Sequence, residues 1–127
     1  LLKTTGDVLE HAAELFPALA DGEFELAGFG WHPGWNDRVN QSCNDEYEVN
    51  LANFIRDVRT DLNAPDLPFV IAETGMSGHE EKHPRALSLM AAQAAVAEHD
   101  EFRGTRPICK TDIFYCAIIK IIYAPLN

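Results

Sequence analysis

Residues 31 to 37 read Trp-His-Pro-Gly-Trp-Asn-Asp, where an apolar, aromatic stretch breaks abruptly into side chains capable of chemistry. Trp31 and Trp35 offer indole faces that can wall a pocket, although ordinary packing of large aromatics under a loop is the commoner reason for such a pair. His32 can carry a proton, yet a lone histidine is more often a hydrogen-bonded structural residue than a base. Gly34 lets backbone come close to a ligand. Asn36 presents an amide, and Asp37 suits a cap or a bond to nearby backbone.

Three other groups need an answer. Ser42 lies in Asn40-Gln41-Ser42-Cys43-Asn44, without the strand-turn-helix setting that exposes an activated hydroxyl and without an evident histidine-acid pair; it reads as a plain loop serine. His79-Glu80-Glu81-Lys82-His83 has the spacing of a zinc-protease helix, in which two histidines four apart face one metal. Pro84 pushes His83 out of the α region, so the run reads as a charged loop with no metal. Glu73 ends a strand, where a carboxylate can orient a histidine, bind a hydroxyl or simply accept backbone N–H groups in the next turn.

The elements that must position these groups follow from hydrophobic spacing. Thr4 or Thr5 is expected to cap a helix carrying Val8, Ala12, Leu15, Phe16 and Leu19, which Pro17 ends or kinks. Phe24 to Trp31 reads as one buried strand, and the polar residues Asn36 to Asp45 as a loop. Tyr47 to Asn63 is the clearest helix, with Leu51, Phe54, Ile55, Val58 and Leu62 on one stripe. Leu67 to Ala72 reads as a strand covered on both faces, with a loop from Glu73 to Gly78. Pro84 suits the first position of a helix whose buried face is Leu87, Met90, Ala91, Ala94 and Ala97.

Strands alternating with helices of this length predict an α/β domain with a three-layer, mainly parallel sheet. Sites in such sheets gather at the carboxyl ends of the strands. Both the Trp31 to Asp37 and the Glu73 to Gly78 loops follow strands.

Composition narrows the partners. Twenty acidic side chains against ten basic ones, a formal net charge of −10, repel a phosphate backbone, and no basic cluster overrides this locally, so nucleic acid is not an expected partner. The longest apolar run, Ile113 to Tyr123, contains Lys120 and falls short of the roughly 20 residues of a membrane helix. Cys43, Cys109 and Cys116 are too few for a disulfide framework. Residues 1–103 hold 19 of the 20 acidic side chains, whereas 104–127 hold one acidic and three basic ones. The division is therefore 1–103 and 104–127, the latter a final strand or an atypical tail.

Four separated blocks carry a resemblance: Gly28 to Asp37, Asn50 to Asp57, Leu67 to Gly75, and Ala91-Ala92-Gln93. In order and spacing they resemble the sialate O-acetylesterase-like domain, close to carbohydrate esterase family six within the SGNH hydrolases. The resemblance implies a flavodoxin-like three-layer α/β/α fold and a serine esterase, with no cofactor, that removes acetyl groups from sugars. It also implies a nucleophilic serine in a Gly-Gln-Ser-Asn type block and a late catalytic histidine. Neither matches a position in this chain, so the expectation is a central, incomplete piece of the domain, inactive by itself. An acetylated carbohydrate is the implied substrate, and Trp31, His32, Gly34, Trp35, Asn36 and Asp37 carry over as lining or oxyanion-loop positions, with Glu73 as a further candidate. A non-catalytic sugar-binding module is the alternative. The resemblance fits a secreted or periplasmic parent protein, while the exposed edges of an incomplete sheet predict self-association.

One departure stands out. The family pattern is Trp-x-Gln-Gly, its glutamine contributing to the oxyanion hole, and this chain has Pro33 there. Proline has neither a side-chain donor nor a backbone N–H, and losing one such donor slows acyl transfer by roughly 100- to 1,000-fold.

Overall fold

The computed structural model describes residues 2–17, 23–74, 77, 80–102 and 121–124, with backbone alone for 2–4, 13, 23–25 and 121–124. The first element is α1 (Leu2–Glu10), followed by the single turn α2 (Ala12–Leu15). Thr4 and Thr5 therefore lie inside α1 and do not cap it. The chain turns at His11, whose ring Nδ1 lies 2.8 Å from the Asp7 carbonyl. Among the side chains described on this segment that turn leaves Ala12 alone buried, with Leu15 and Phe16 exposed, contrary to the expected continuous stripe; Leu19 lies outside the described residues.

The expected single strand from Phe24 to Trp31 is two strands, β1 (Glu23–Leu26) and β2 (Phe29–Trp31). The break falls at Ala27-Gly28, where a Cβ on Gly28 would lie 3.1 Å from the Pro68 carbonyl oxygen. Close backbone approach at a glycine ends one ladder and starts another. Phe29 N–H donates to that same Pro68 carbonyl at 2.8 Å.

Two helices replace the expected loop from Asn36 to Asp45: the short α3 (Trp35–Val39) and the long α4 (Gln41–Asp61). Asn40 divides them. Its backbone is extended, and its side-chain oxygen accepts from the Ser42 N–H at 3.0 Å, capping α4. A polar run thus serves as the start of a helix, because Asn offers the otherwise unpaired first-turn N–H groups an acceptor. The stripe on α4 is as expected: Leu51, Ile55 and Val58 are buried, and Phe54 and Leu62 pack beside them. Asn63 follows the helix with φ of 49°, a left-handed residue of the kind that terminates helices.

The next strand, β3 (Phe69–Ile71), pairs in parallel with β2, with Phe29 opposite Phe69 and Trp31 opposite Ile71. Phe69 and Ile71 are buried while Val70 is 36% exposed, so β3 is covered on one face and not on both. Helix α5 (Pro84–Val96) starts with Pro84 in the first turn, as its fixed φ favours. Its buried face is Ala86, Leu89, Gln93 and Val96, with Leu87 and Ala91 exposed. The expected face was therefore misplaced, since the true stripe contains a glutamine.

The last described element, β4 (Ile121–Ala124), pairs antiparallel with β1, Glu23 opposite Ala124. The described strands thus form one parallel and one antiparallel pair, so the sheet content is α/β without being mainly parallel. The core lies between β2–β3 and helices α4 and α5. Phe29 and Phe69 stack at 5.1 Å, and Phe54 meets both edge-on at 5.8 and 6.1 Å. Arg59 closes this region by donating to the Leu67 carbonyl at 3.1 and 3.2 Å.

Candidate functional site

Because β2 and β3 run parallel, the loops after them emerge at the same edge. The Ala72 N–H donates to the Trp31 carbonyl at 2.9 Å, which carries the pairing to the last residue before each loop diverges. One loop leads through His32, Pro33 and Gly34 into α3, and the other through Glu73 and Thr74.

A buried set of polar groups joins the two loops. Gln93, fully buried on α5, accepts the Thr74 N–H through Oε1 at 2.8 Å. Its Nε2 lies 2.8 Å from Thr74 Oγ1 and 3.3 Å from both the Pro33 carbonyl and the Tyr47 hydroxyl. Tyr47, on α4, donates its hydroxyl proton to the Pro33 carbonyl at 2.6 Å and accepts from Trp31 Nε1 at 3.3 Å. Burial pushes the Tyr47 hydroxyl above its ordinary pKa; the bonds from Gln93 and Trp31 draw it down less strongly, and the Asp37 carboxylate adds a small upward push. Buried polar groups are tolerated when partnered in this way.

Gly34 is buried against this set. A Cβ there would lie 2.5 Å from Thr74 Oγ1, 3.0 Å from Gln93 Nε2 and 3.1 Å from Leu89 Cδ2. Only a residue without a side chain lets the loop settle onto α5 and the β3 loop.

The expected site residues separate by environment. Trp31 packs on Phe54 at 4.3 Å and belongs to the rim of the core. Trp35 is 59% exposed, with the Arg38 guanidinium 4.2 Å from its ring centroid. His32, Asp37 and Glu73 are half-buried and Asn36 is exposed, and Asp37 stands in the first turn of α3. Tyr47, Thr74 and Gln93 were not singled out individually, although Thr74 and Gln93 lie within the recognised blocks. The signal that could have found them is a glutamine at helical spacing with Ala86, Leu89 and Val96, on a face otherwise apolar.

The remaining candidates lie apart in character. Ser42 is on the first turn of α4, not in a loop, and its hydroxyl donates to Asn40 Oδ1 at 2.9 Å. His83 has an extended backbone just before α5, and Glu81 Oε1 accepts from its N–H at 2.8 Å; residues 81–83 are not helical, and His79 lies outside the described residues. Among the described residues, no group of three His, Cys, Asp or Glu side chains could hold a metal ion.

The model of a family described as carbohydrate esterase, sialic acid-specific acetylesterase matches residues 7–102. The chain belongs to this family. No curated protein and no solved structure matches it. In this acetylesterase-type domain, the matched span contains β1, β2 and β3 and all of α3, α4 and α5, and hence every residue of the buried polar set. The family's substrate is a carbohydrate. No described helix is long and apolar enough to cross a membrane.

Proposed function

We propose that these residues build the oxyanion-loop side of a serine-dependent carbohydrate acetylesterase of three-layer α/β/α, SGNH type. Residues 1–103 supply the central part of that domain. The observation that carries the reading is the docking of Gly34 and the Pro33 carbonyl onto Thr74, Tyr47 and Gln93, at the edge where parallel strands end. A loop held this firmly can present backbone N–H groups to the oxygen that becomes negative as an ester is attacked, and such preorganised donors are a main source of acyl-transfer catalysis.

With proline at 33, the first N–H available after His32 is that of Gly34. Trp35 and its neighbours follow at the start of α3, where N–H groups lack partners within the helix. Trp35 offers an exposed ring face to a sugar. The nucleophilic serine and the histidine that activates it are not matched by any of the 127 residues, so this chain by itself does not cleave esters.

The test is hydrolysis of an aryl acetate and of an O-acetylated sugar. The 127-residue chain is expected to show no turnover sensitive to a serine-directed fluorophosphonate. A polypeptide extended to include a Gly-Gln-Ser-Asn block and a late histidine is expected to show it. Fluorophosphonate-sensitive turnover by the short chain overturns the assignment of roles. Pro33 also favours a second reading, a degenerate module that binds sugar without cleaving it; calorimetric sugar binding by the extended polypeptide with no turnover would select that reading.

A further inference from the structure

The Pro33–Gly34 peptide is fixed from its carbonyl side, and that determines what its N–H can do. The Pro33 oxygen receives the Tyr47 hydroxyl at 2.6 Å and lies 3.3 Å from Gln93 Nε2, both reaching it from the buried side of the loop. The chain has no cis peptide bond among its described residues. In a planar trans peptide the C=O and N–H vectors point in opposite directions. Anchoring the carbonyl inward therefore turns the Gly34 N–H away from Tyr47 and Gln93. Since Pro33 has no N–H of its own, this single peptide plane governs the first backbone donor that follows His32.

We infer that Tyr47 and Gln93 are positioning residues for ester cleavage, locking the Pro33–Gly34 peptide so that the Gly34 N–H is held as the oxyanion donor; this rests on the oxyanion-loop reading above. Three features support it. Gln93 is fully buried, and a buried glutamine on an otherwise apolar helix face carries a desolvation cost that only its bonds offset. Those bonds go to both strand-end loops, to Thr74 on one side and Pro33 on the other, so one side chain sets their relative position. Tyr47 is itself held by Trp31 Nε1 at 3.3 Å, which leaves its hydroxyl proton aimed at Pro33. Both residues are buried and act through the Pro33–Gly34 peptide. Their contribution is to remove the freedom of a donor to swing, and orientation of this kind is a large part of catalytic advantage.

The test uses Tyr47→Phe, which keeps the ring and removes the hydroxyl, and Gln93→Leu, which keeps approximate size and removes the amide. In the 127-residue chain, the residual dipolar coupling of the Gly34 N–H reports how rigidly that vector is held. The coupling is expected to drop by about half or more in each variant as the peptide begins to reorient, with couplings along α4 unchanged. In the extended polypeptide, kcat for an aryl acetate is expected to fall about 10-fold or more with KM within about twofold. A merely structural role would move the melting temperature and leave kcat alone. If Gln93→Leu does not fold, Tyr47→Phe decides. An unchanged Gly34 coupling, or unchanged kcat in an active extended polypeptide, overturns the inference while leaving the acetylesterase reading standing. An inactive wild-type extended polypeptide overturns the acetylesterase reading and the positioning role with it, and the coupling still decides whether the peptide is locked.

Discussion

Gln93 pairs with Thr74 twice: its carbonyl oxygen accepts the Thr74 N–H and its amide nitrogen donates to Thr74 Oγ1, both at 2.8 Å. A helix side chain thereby does for one loop residue what a neighbouring strand does for a residue within a sheet. The pairing makes α5 a structural continuation of the strand edge, and it explains why the Glu73-Thr74 loop and the Pro33-Gly34 loop have a defined relation to each other.

Removing this pairing has a measurable cost. Gln93→Leu leaves the buried Thr74 N–H without its acceptor, and an unsatisfied buried donor costs about 1–3 kcal/mol. Denaturant unfolding is expected to show an unfolding free energy lower by that amount, expressed as a lower midpoint with the slope unchanged. A loss below about 0.5 kcal/mol would mean that another group or water takes over the Thr74 N–H.

The packing at Gly34 gives a second expectation. In Gly34→Ala the new methyl meets Thr74 Oγ1 at 2.5 Å, and Thr74 is itself held by Gln93, so it cannot swing aside without breaking a bond. Destabilisation of about 1–3 kcal/mol is expected from overpacking. Combining it with Thr74→Ala removes the clashing oxygen, so the double variant should lose less than the two singles together, a coupling that a double-mutant cycle measures.

Tyr47 predicts a pH dependence. Burial raises its pKa above the ordinary 10.0, so the native state keeps the proton at a pH where the unfolded chain has released it. Stability from this group is whole below about pH 10 and falls as pH rises beyond it, at up to about 1.4 kcal/mol per pH unit until the native pKa is reached. Melting temperatures from pH 8 to 11 should decline more steeply for the wild type than for Tyr47→Phe. Parallel profiles would show that the phenol is not selectively held neutral.

Helix initiation at Asn40 is testable independently of the site. Its side chain accepts the Ser42 N–H at 3.0 Å, and Asn40→Ala is expected to cost about 1 kcal/mol by analogy with other N-cap replacements. Asn40→Asp should retain the acceptor and lose little, as thermal unfolding would report.

The physics that made some elements legible in the sequence is the same physics that hid others. The α4 stripe was readable because Leu51, Ile55 and Val58 obey the simple rule that apolar residues are buried at helical spacing. Pro84 was readable because its ring fixes φ. The face of α5 was misplaced because Gln93 breaks that rule: it is polar, yet bonds to Thr74 and Pro33 let it replace an apolar residue in the core. The start of α4 was hidden in a polar run because capping depends on one Asn side chain and not on hydropathy. The break between β1 and β2 required knowing that Pro68 would press against Gly28, a contact between residues 40 apart in sequence. For the site, the Trp31 to Asp37 block was visible as a motif. Its anchoring was not, since the bonds that gather Tyr47, Thr74 and Gln93 come from three separate elements, and only the helical spacing of Gln93 with Ala86, Leu89 and Val96 marks them in the sequence.

The chain has two tryptophans, and they stand four residues apart at either end of the Pro33–Gly34 turn. Trp31 is wedged against Phe54 with its indole N–H engaged, whereas Trp35 is 59% exposed beneath a guanidinium. The two indoles therefore emit from unlike surroundings, one shielded and one wet. The loop carries a built-in optical gauge: a quencher dissolved in the buffer reaches Trp35 first, and light from Trp31 dims only when the turn lifts from its bed.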